Sequence, residues 1–186
     1  MSTQTFPLTG PVNLQVRLGR GSVTVDAVDG LTEARVELTP RQPGSDIVDR
    51  IEVELRGNTL VVTAPREGGV FDMLFSGNRG RLALDAVIAV PAGTAMRIST
   101  VSADVTVRGR AGGLDIASGS ADMSIEHVSG DLRLRYGSGN CLVEQVDGTV
   151  TSRSGSGSAQ FGRVGGALNA ACGSGELTAR SVGGPV

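Results

Sequence analysis

The side chains best suited to chemistry in this sequence are few, and most of them recur at a fixed spacing. The single histidine, His127, has no Cys, Asp or Glu cluster at the spacing of a metal site or a general base, so a solvated turn residue is favoured. Four serines, each preceded by glycine, recur at one constant interval: Ser120, Ser138, Ser156 and Ser174. A nucleophilic serine needs one distinctive environment, whereas repeated serines share a structural one. We therefore predict a protein that is not an enzyme and holds no metal or cofactor.

Asp104 and Asp122 are the carboxylates most open to a functional interpretation, because the interval that separates the serines separates them too. Stacked on neighbouring turns of a fold, they repel each other unless water or a cation lies between them. A calcium-binding β-roll repeats its aspartate in every nonapeptide, twice as often as this sequence does. Solvated carboxylates are therefore favoured over a calcium site, and both residues stay candidates for an interaction.

The remaining features of composition exclude several classes of protein. The formal charge is −2 and the arginines are spread along the chain without a basic run, so we expect no nucleic-acid partner. The start, MSTQTFPLTG, lacks the pattern of a signal peptide, and no later stretch is long and apolar enough to span a membrane. The two cysteines, Cys141 and Cys172, form no motif, which is typical of a reduced protein. These features predict a cytoplasmic location.

The elements that position these residues follow from an internal repeat. Written from Ala95, the sequence falls without gaps into five rows of equal length, namely 95–112, 113–130, 131–148, 149–166 and 167–184, and a sixth copy lies apart at 13–30. Every row ends in glycine. Apolar residues stand two apart at the second and fourth positions and again at the eleventh and thirteenth, which is the spacing of strands. Glycine and serine fill the turn between them.

This pattern predicts an all-β fold: a single-stranded β-solenoid with 18-residue coils and an N-terminal antiparallel sheet or cap section. Disordered low-complexity sequence is disfavoured because the inward positions stay apolar while the turns vary. A left-handed hexapeptide helix is also disfavoured, because no apolar residue recurs every six positions. The handedness of the coil stays open.

Residues 31–94 interrupt the repeat and predict an inserted sheet. Strands are expected at Glu33–Leu38, Ile51–Leu55, Thr59–Thr63 and Leu82–Val90, the middle two forming a hairpin. We therefore divide the chain into an N-terminal β section at 1–94, which contains the first coil at 13–30, and the solenoid repeats at 95–186.

Two regions are candidates for interactions. The loop at 68–77 gathers Phe71, Met73 and Phe75 between glycines, and these side chains either cover the core or form an apolar patch for a partner. Towards Val186 the inward positions become small, with Ala159, Ala170 and Ala179. A loosely filled last coil predicts self-association through the ends of the solenoid, giving a homo-oligomer.

The sequence resembles a known bacterial family. The turns SGSAD and GSGN, the hairpin NTLVVTAP and the strand AVIAVPAG resemble the putative-adhesin family of β-strand-repeat domains of unknown function. The resemblance covers residues 10–184. It implies a β-solenoid without established enzymatic activity, and it supplies no catalytic or binding residues.

Two functions remain open at this point. The first is a non-enzymatic scaffold that binds proteins and self-associates through its coil ends. The alternative is an adhesin-like module that binds a glycan, a cation or a protein through its flat faces or through Asp104 and Asp122. A carbohydrate-active enzyme is disfavoured, because its cleft needs clustered carboxylates and aromatic side chains on one face. The aromatic residues of the five rows are Tyr136 and an inward Phe161 alone.

Overall fold

The structure is a computed structural model that describes residues 1–42, 47–64 and 83–185. Over these residues the chain forms 15 β-strands and one short 3₁₀ helix, Val48–Arg50. The strands are β1 (Ser2–Pro7), β2 (Asn13–Val28), β3 (Glu33–Pro40), β4 (Glu52–Arg56), β5 (Thr59–Thr63), β6 (Ala83–Pro91), β7 (Ala95–Ala111), β8 (Leu114–Ser120), β9 (Met123–Val128), β10 (Leu132–Ser138), β11 (Cys141–Val146), β12 (Val150–Ser156), β13 (Ala159–Val164), β14 (Leu168–Ser174) and β15 (Leu177–Val182).

The rows of the sequence are the pairing units of the sheet. β8, β10, β12 and β14 pair in parallel in that order, and β9, β11, β13 and β15 do the same. Both series start at β7, whose first half pairs with β8 and whose second half pairs with β9. Leu132 lies opposite Leu114 on one side and Val150 on the other, an offset of one full row each way. Each residue therefore lies beside its equivalent in the next row, except where β7 pairs with β9: the register shifts between Val107 and Arg110, and Ala111 instead of Arg110 lies opposite Val128.

The detached copy at 13–30 joins the same stack. β2 pairs with β7 in parallel along nearly its whole length, with Leu14 opposite Met96 and Val23 opposite Val105. On its other side, the first half of β2 pairs with β5 and the second half with β6, both in parallel. The strands from the inserted stretch thus extend the sheet beyond the first copy.

Three pairs of strands in the N-terminal part are antiparallel: β1 with β3, β3 with β6, and β4 with β5. The predicted hairpin is β4–β5, and Gly57 in its turn has φ +60°, a conformation that glycine adopts without steric cost. β6 begins at Ala83 and includes Pro91, which the sequence placed after the strand.

The all-β prediction is confirmed. The pairings of the described strands join them into one 15-stranded sheet of mixed direction, with two branches that share β2 and β7. The antiparallel N-terminal part agrees with the prediction, whereas closure of the rows into a solenoid belongs to the proposals below. The division into two domains at residue 94 stays a prediction.

The core lies on the inward side of both branches. Along β10 the residues alternate between buried and exposed, with Leu132, Leu134 and Tyr136 buried. β-branched and leucine side chains at such positions pack well on a pleated surface, which is why the rows fold this way. The filling weakens in the last row, where Ala170 is half-buried and Leu177 is 37% exposed.

Candidate functional site

The outward side of the branch that runs from β2 through β7, β8 and β10 to β12 carries five exposed arginines. They alternate with buried core residues, as Arg133 does between Leu132 and Leu134. We call this surface the arginine face, and its arginines are Arg17, Arg97, Arg133, Arg135 and Arg153. The pairing register places them in two lines across the strands, at the third and the fifth positions of the rows.

One carboxylate, Asp115 on β8, lies among these arginines. Its Oδ2 lies 3.6 Å from Arg97 Nε, and its Oδ1 accepts a hydrogen bond of 3.2 Å from Arg135 Nη2. Within residues 1–42, 47–64 and 83–185, neither Arg133 nor Arg153 has a carboxylate partner. In the first halves of β2 and β7 and in β8, β10 and β12, the outward charged groups are five arginines and one aspartate. With Asp131, which is exposed just before β10, the local charge is +3 in a chain whose net charge is −2.

Three of the arginines form a cluster on two neighbouring strands. Arg135 on β10 lies directly opposite Arg153 on β12, and Arg133 stands two residues before Arg135 on the same face. Like charges opposite each other on paired strands destabilise a sheet. The residues around the cluster, Ala117 and Thr151, are small and leave the guanidinium groups accessible. The cluster therefore costs stability in the isolated chain and can bind an anion.

A groove of about 530 Å³ crosses the strands beside the cluster. Its lining comes from the first three positions of successive rows, including Gln15, Arg97, Gly113, Arg133 and Thr151. Because equivalent residues lie side by side on paired strands, a groove made of them runs along the stack. Asp131 also lines it, and its Oδ1 accepts a hydrogen bond of 2.8 Å from the Thr149 backbone N–H.

Carboxylates are more frequent around the arginine face than on it. Glu52 and Glu54 stand on β4 at the N-terminal edge, and Glu54 forms an ion pair with Arg56. On the other branch Arg108 has Asp26 beside it at 3.5 Å and Arg110 has Asp29 at 3.3 Å. Arg163 and Arg180 have no ion pair among the described residues, but Glu126, Glu144 and Asp147 also lie on this branch. The excess of positive charge is thus a local property of this face.

The distribution of arginines along the chain does not reveal this face. Arg133, Arg135 and Arg153 are too far apart in sequence to form a basic run. The signal was present in the third and fifth positions of the rows, where arginine recurs. Reading the outward positions as well as the inward ones would have predicted the cluster.

The structure brings Asp104 and Asp122 together in a ladder of hydrogen bonds. Asp104 Oδ1 accepts from the Asp122 N–H at 3.1 Å, Asp122 Oδ1 accepts from the Asn140 N–H at 2.9 Å, and Asn140 Oδ1 accepts from the Ser158 N–H at 3.4 Å. Each side chain thereby satisfies a backbone donor in the next row. In the part of the chain that the structure describes, no group of three or more His, Cys, Asp or Glu residues is arranged to hold a metal ion.

Ser22, which occupies the same position in the first copy of the row, contacts Asp85, a residue outside the repeat. Ser22 lies opposite both Asp104 and Asp85, and its hydroxyl donates a hydrogen bond of 2.6 Å to Asp85 Oδ1. Arg41 Nε also donates to that oxygen at 2.8 Å. Asp85 lies outside the rows, so its place beside Ser22 could not be read from the repeat.

His127 is half-buried and has partners, which differs from the solvated turn residue expected. Its Nε2 lies 2.8 Å from Asp147 Oδ2, and Gln145 Nε2 donates to the other carboxylate oxygen at 2.8 Å. The hydrogen bond from Gln145, followed by that from His127, lowers the pKa of the Asp147 carboxyl. The contact between His127 and Asp147 could not be recognised from spacing in sequence, because Asp147 belongs to the next row.

The other candidates have different outcomes. Phe71, Met73 and Phe75 lie outside the described residues, so their role stays a prediction. The repeated serines contact each other, with the hydroxyls of Ser120 and Ser138 2.8 Å apart. Both cysteines are free thiols.

A second cavity, of about 560 Å³, lies at β14 and β15. Leu168, Ala170, Leu177 and Ala179 line it with side chains from inward positions of the rows. Of these, Leu177 and Ala179 are exposed, Ala170 is half-buried and Leu168 is buried. The predicted self-association depends on the exposed pair, and the oligomeric state stays a prediction.

None of the helical structure in residues 1–42, 47–64 and 83–185 has the length and hydrophobicity that crossing a membrane requires. The cytoplasmic location stays a prediction.

Comparisons with known proteins give similar structures and no sequence match. No family model matches the sequence, and no curated protein matches it. A solved structure described as a putative adhesin from Bacteroides fragilis is 18% identical, with a TM-score of 0.41 over 98% of this chain and 94% of that one. A putative cell adhesion protein from Clostridium sporogenes is 12% identical, with a TM-score of 0.40 over 97% and 99%. A putative adhesin from Parabacteroides merdae is 9% identical, with a TM-score of 0.40 over 100% and 95%.

Proposed function

We propose that this protein is a non-enzymatic, adhesin-like binding module whose rows close into a β-solenoid and whose arginine face holds an anionic partner. The observation that carries this proposal is the cluster of Arg133, Arg135 and Arg153, in which two arginines have no carboxylate partner among the described residues. Guanidinium groups are donors in a planar fork that matches carboxylate, sulfate and phosphate groups.

The chemistry of the face favours binding over catalysis. Arginine stays protonated at any pH that a protein tolerates, so it cannot act as a general base or a nucleophile. Asp115, the carboxylate among the arginines, is engaged by two guanidinium groups. Such a site can attract and orient negative charge, and it lacks a group that takes or gives a proton.

The stacking of rows supplies the rigidity that such a face needs. On the branch of the arginine face, β7, β8, β10, β12 and β14 are held together by parallel pairing in register, so their outward side chains keep a fixed spacing. A preorganised surface loses less conformational entropy on binding than a flexible basic tail. The solenoid therefore acts as the support and the arginine face as the recognition surface.

Retention on a sulfonated cation-exchange resin at pH 7 and low salt tests this function. A protein of net charge −2 with evenly distributed charges passes through such a resin. We expect retention, because the local charge on the face is positive, and elution as salt screens the contact.

The matched variants locate the contact. The triple change Arg133→Gln, Arg135→Gln and Arg153→Gln should abolish retention. The control changes Arg163→Gln and Arg180→Gln on the other branch, together with Arg20→Gln in the middle of β2, remove the same charge and should leave the retention of the protein mostly intact. Passage of the unmodified protein through the resin, or equal losses in both triple variants, would contradict the proposal.

A self-associating scaffold is the second candidate. The observation that favours it is the exposure of inward apolar side chains on β15, where Leu177 is 37% exposed beside a cavity. Light scattering over a concentration series should give a rising mass for the unmodified protein, and Leu177→Lys should prevent the rise. The variant Thr178→Lys adds the same charge on the outward side and serves as the control. A constant monomer mass removes this candidate.

A further inference from the structure

We propose, resting on the function above, that the partner of the arginine face is a linear anionic polysaccharide that lies across the strands from β2 to β12. The observation behind this is the groove at the first three positions of the rows, whose charged lining residues are Arg97, Arg133, Asp115 and Asp131. Asp115 is engaged by Arg97 and Arg135, and Asp131 accepts from the Thr149 backbone N–H, so Arg133 in the groove, with Arg153 beside it, carries the charge left for a ligand. An occupant of this groove must be extended in the direction of the stack. Five strands at about 4.8 Å each give a track of roughly 19 Å from β2 to β12.

The arginines are placed for repeated charges along such a chain. Arg97 and Arg133 occupy the same position two strands apart, which corresponds to about 9.6 Å. Arg135 stands two residues further along β10, roughly 6.7 Å from Arg133. Arg153 extends the cluster by one more strand. Carboxylate or sulfate groups on successive sugar units can therefore meet separate guanidinium groups, each able to form two hydrogen bonds.

The uncharged lining fits sugar hydroxyls. Asn13, Gln15, Thr149 and Thr151 line the same groove and supply amide and hydroxyl groups that donate and accept hydrogen bonds. Ala95 and Gly113 between them leave room for a ring. A ligand that offered charges alone would use the arginines and leave these groups to water.

The apolar residues disfavour a membrane as the partner. The exposed large apolar side chains among the described residues are Met1, Val28, Val87, Val101, Leu142 and Leu177, and none of them lies on the arginine face. Binding to a lipid surface combines electrostatic attraction with burial of apolar groups. The arginine face offers electrostatic attraction but no exposed large apolar side chain to bury.

The aromatic residues disfavour single-stranded nucleic acid. Proteins that bind it stack the bases on aromatic side chains. The aromatic residues on the described strands are Phe6, Tyr136 and Phe161, and the last two are buried in the core. None is on the arginine face, so the bases would find no platform there.

Calorimetric titration with chondroitin sulfate oligosaccharides of increasing length tests the proposal, with dextran as the uncharged control. Affinity should rise with length until the chain fills the track and then level off. Arg133→Gln and Arg153→Gln should each weaken binding about 10-fold, since hydrogen bonds to charged groups are the strong ones. Thr151→Val, which removes a hydroxyl and keeps the shape, should weaken oligosaccharide binding and leave retention on the cation exchanger unchanged.

Two further probes separate this inference from the function on which it rests. These are vesicles containing phosphatidylserine and an oligothymidylate with the same number of charges. If either binds as tightly as the oligosaccharide, or if affinity shows no dependence on Thr151, the polysaccharide proposal is overturned while binding of anions stands. If none of the three binds and the cation exchanger does not retain the protein, both proposals fail together.

Discussion

At the scale of single residues, Asp115 decides how much positive charge the arginine face presents. Its two oxygens engage Arg97 and Arg135, and its side chain is only 19% exposed, so it neutralises part of the face from within. Arg133, its lateral neighbour on β10, receives no ion pair from it. Asp115 thus neutralises part of the charge of Arg97 and Arg135, whereas Arg133 and Arg153 keep their full charge for a ligand.

The variant Asp115→Asn should therefore bind anions more tightly than the unmodified protein. Losing one negative charge from the face strengthens its attraction for an anionic ligand by about 1 kcal/mol, or roughly fivefold in affinity. The stability of the fold should change little, because partly exposed ion pairs contribute about 0–1 kcal/mol. Calorimetry with chondroitin sulfate measures the first effect, and urea unfolding the second. Weaker binding by this variant would show that Asp115 contacts the ligand itself.

Asp122 provides a test between a ladder and a cation site. Asp122 accepts a hydrogen bond from the Asn140 N–H. Asp122→Asn keeps an acceptor oxygen there and should preserve stability, whereas Asp122→Ala should lower the free energy of unfolding by about 1 kcal/mol. Calcium should not raise the melting temperature of the unmodified protein. A calcium-dependent rise that Asp122→Asn abolishes would establish the cation site instead.

The two thiols should differ in reactivity. Burial raises the pKa of Cys141 to about 12, so this thiol stays protonated at pH 8 and lies out of reach of reagents. Cys172 is half-buried and more accessible. Titration of the folded protein with a disulfide reagent at pH 8 should modify one thiol. In the Cys172→Ser variant no thiol should be modified. Rapid modification of Cys141 in the folded protein would mean that the core opens there.

At the scale of the elements, the glycines set how closely the rows stack. Gly139 has φ +116°, and a Cβ at this position would clash with the carbonyl oxygen of Ala121 in the preceding row. Gly148, which ends its row, excludes a side chain for a different reason. At Gly148 a Cβ would stand 2.6 Å from the carbonyl oxygen of Gly130, so close approach of the turns excludes a side chain.

Gly139→Ala should therefore destabilise the protein by about 3 kcal/mol or more, because strain in the backbone adds to the clash. Gly19→Ala is the control: no atom lies within 4 Å of its Cβ, and the change should be neutral or slightly stabilising. Thermal and urea unfolding of both variants measure the difference. Equal effects of the two changes would contradict the stacking that the structure shows.

The strands and their register could be predicted because the repeat records them twice, in the apolar positions and in the glycines. Leu14 and Met96 were aligned as equivalents and lie side by side. The partners of residues outside the rows could not be predicted in this way. That Thr59 pairs with Asn13, and Asp85 with Ser22, depends on how the inserted stretch returns to the first copy, which no periodicity encodes.

The candidate site was harder to predict than the fold. The inward positions repeat because they fill one core, whereas an outward position can change from row to row without loss of packing. Arg97, Asp115 and Arg133 occupy one outward line, and their alternating charges hide the arginines from a search for similar residues.

At the scale of the whole molecule, a net charge of −2 conceals an uneven distribution. The arginine face, with Asp131 beside it, carries a local charge of +3, so the rest of the molecule is correspondingly acidic. Such a molecule approaches an anionic surface in one orientation, with the arginine face foremost.

The most direct test of this account is an NMR titration of the arginine side chains with a chondroitin sulfate oligosaccharide. We expect the Nε–H signals of Arg97, Arg133, Arg135 and Arg153 to shift together and saturate with one affinity, while those of Arg163 and Arg180 stay in place. Saturating shifts at Arg163 and Arg180 without shifts in the cluster, or no shifts at all, would contradict it.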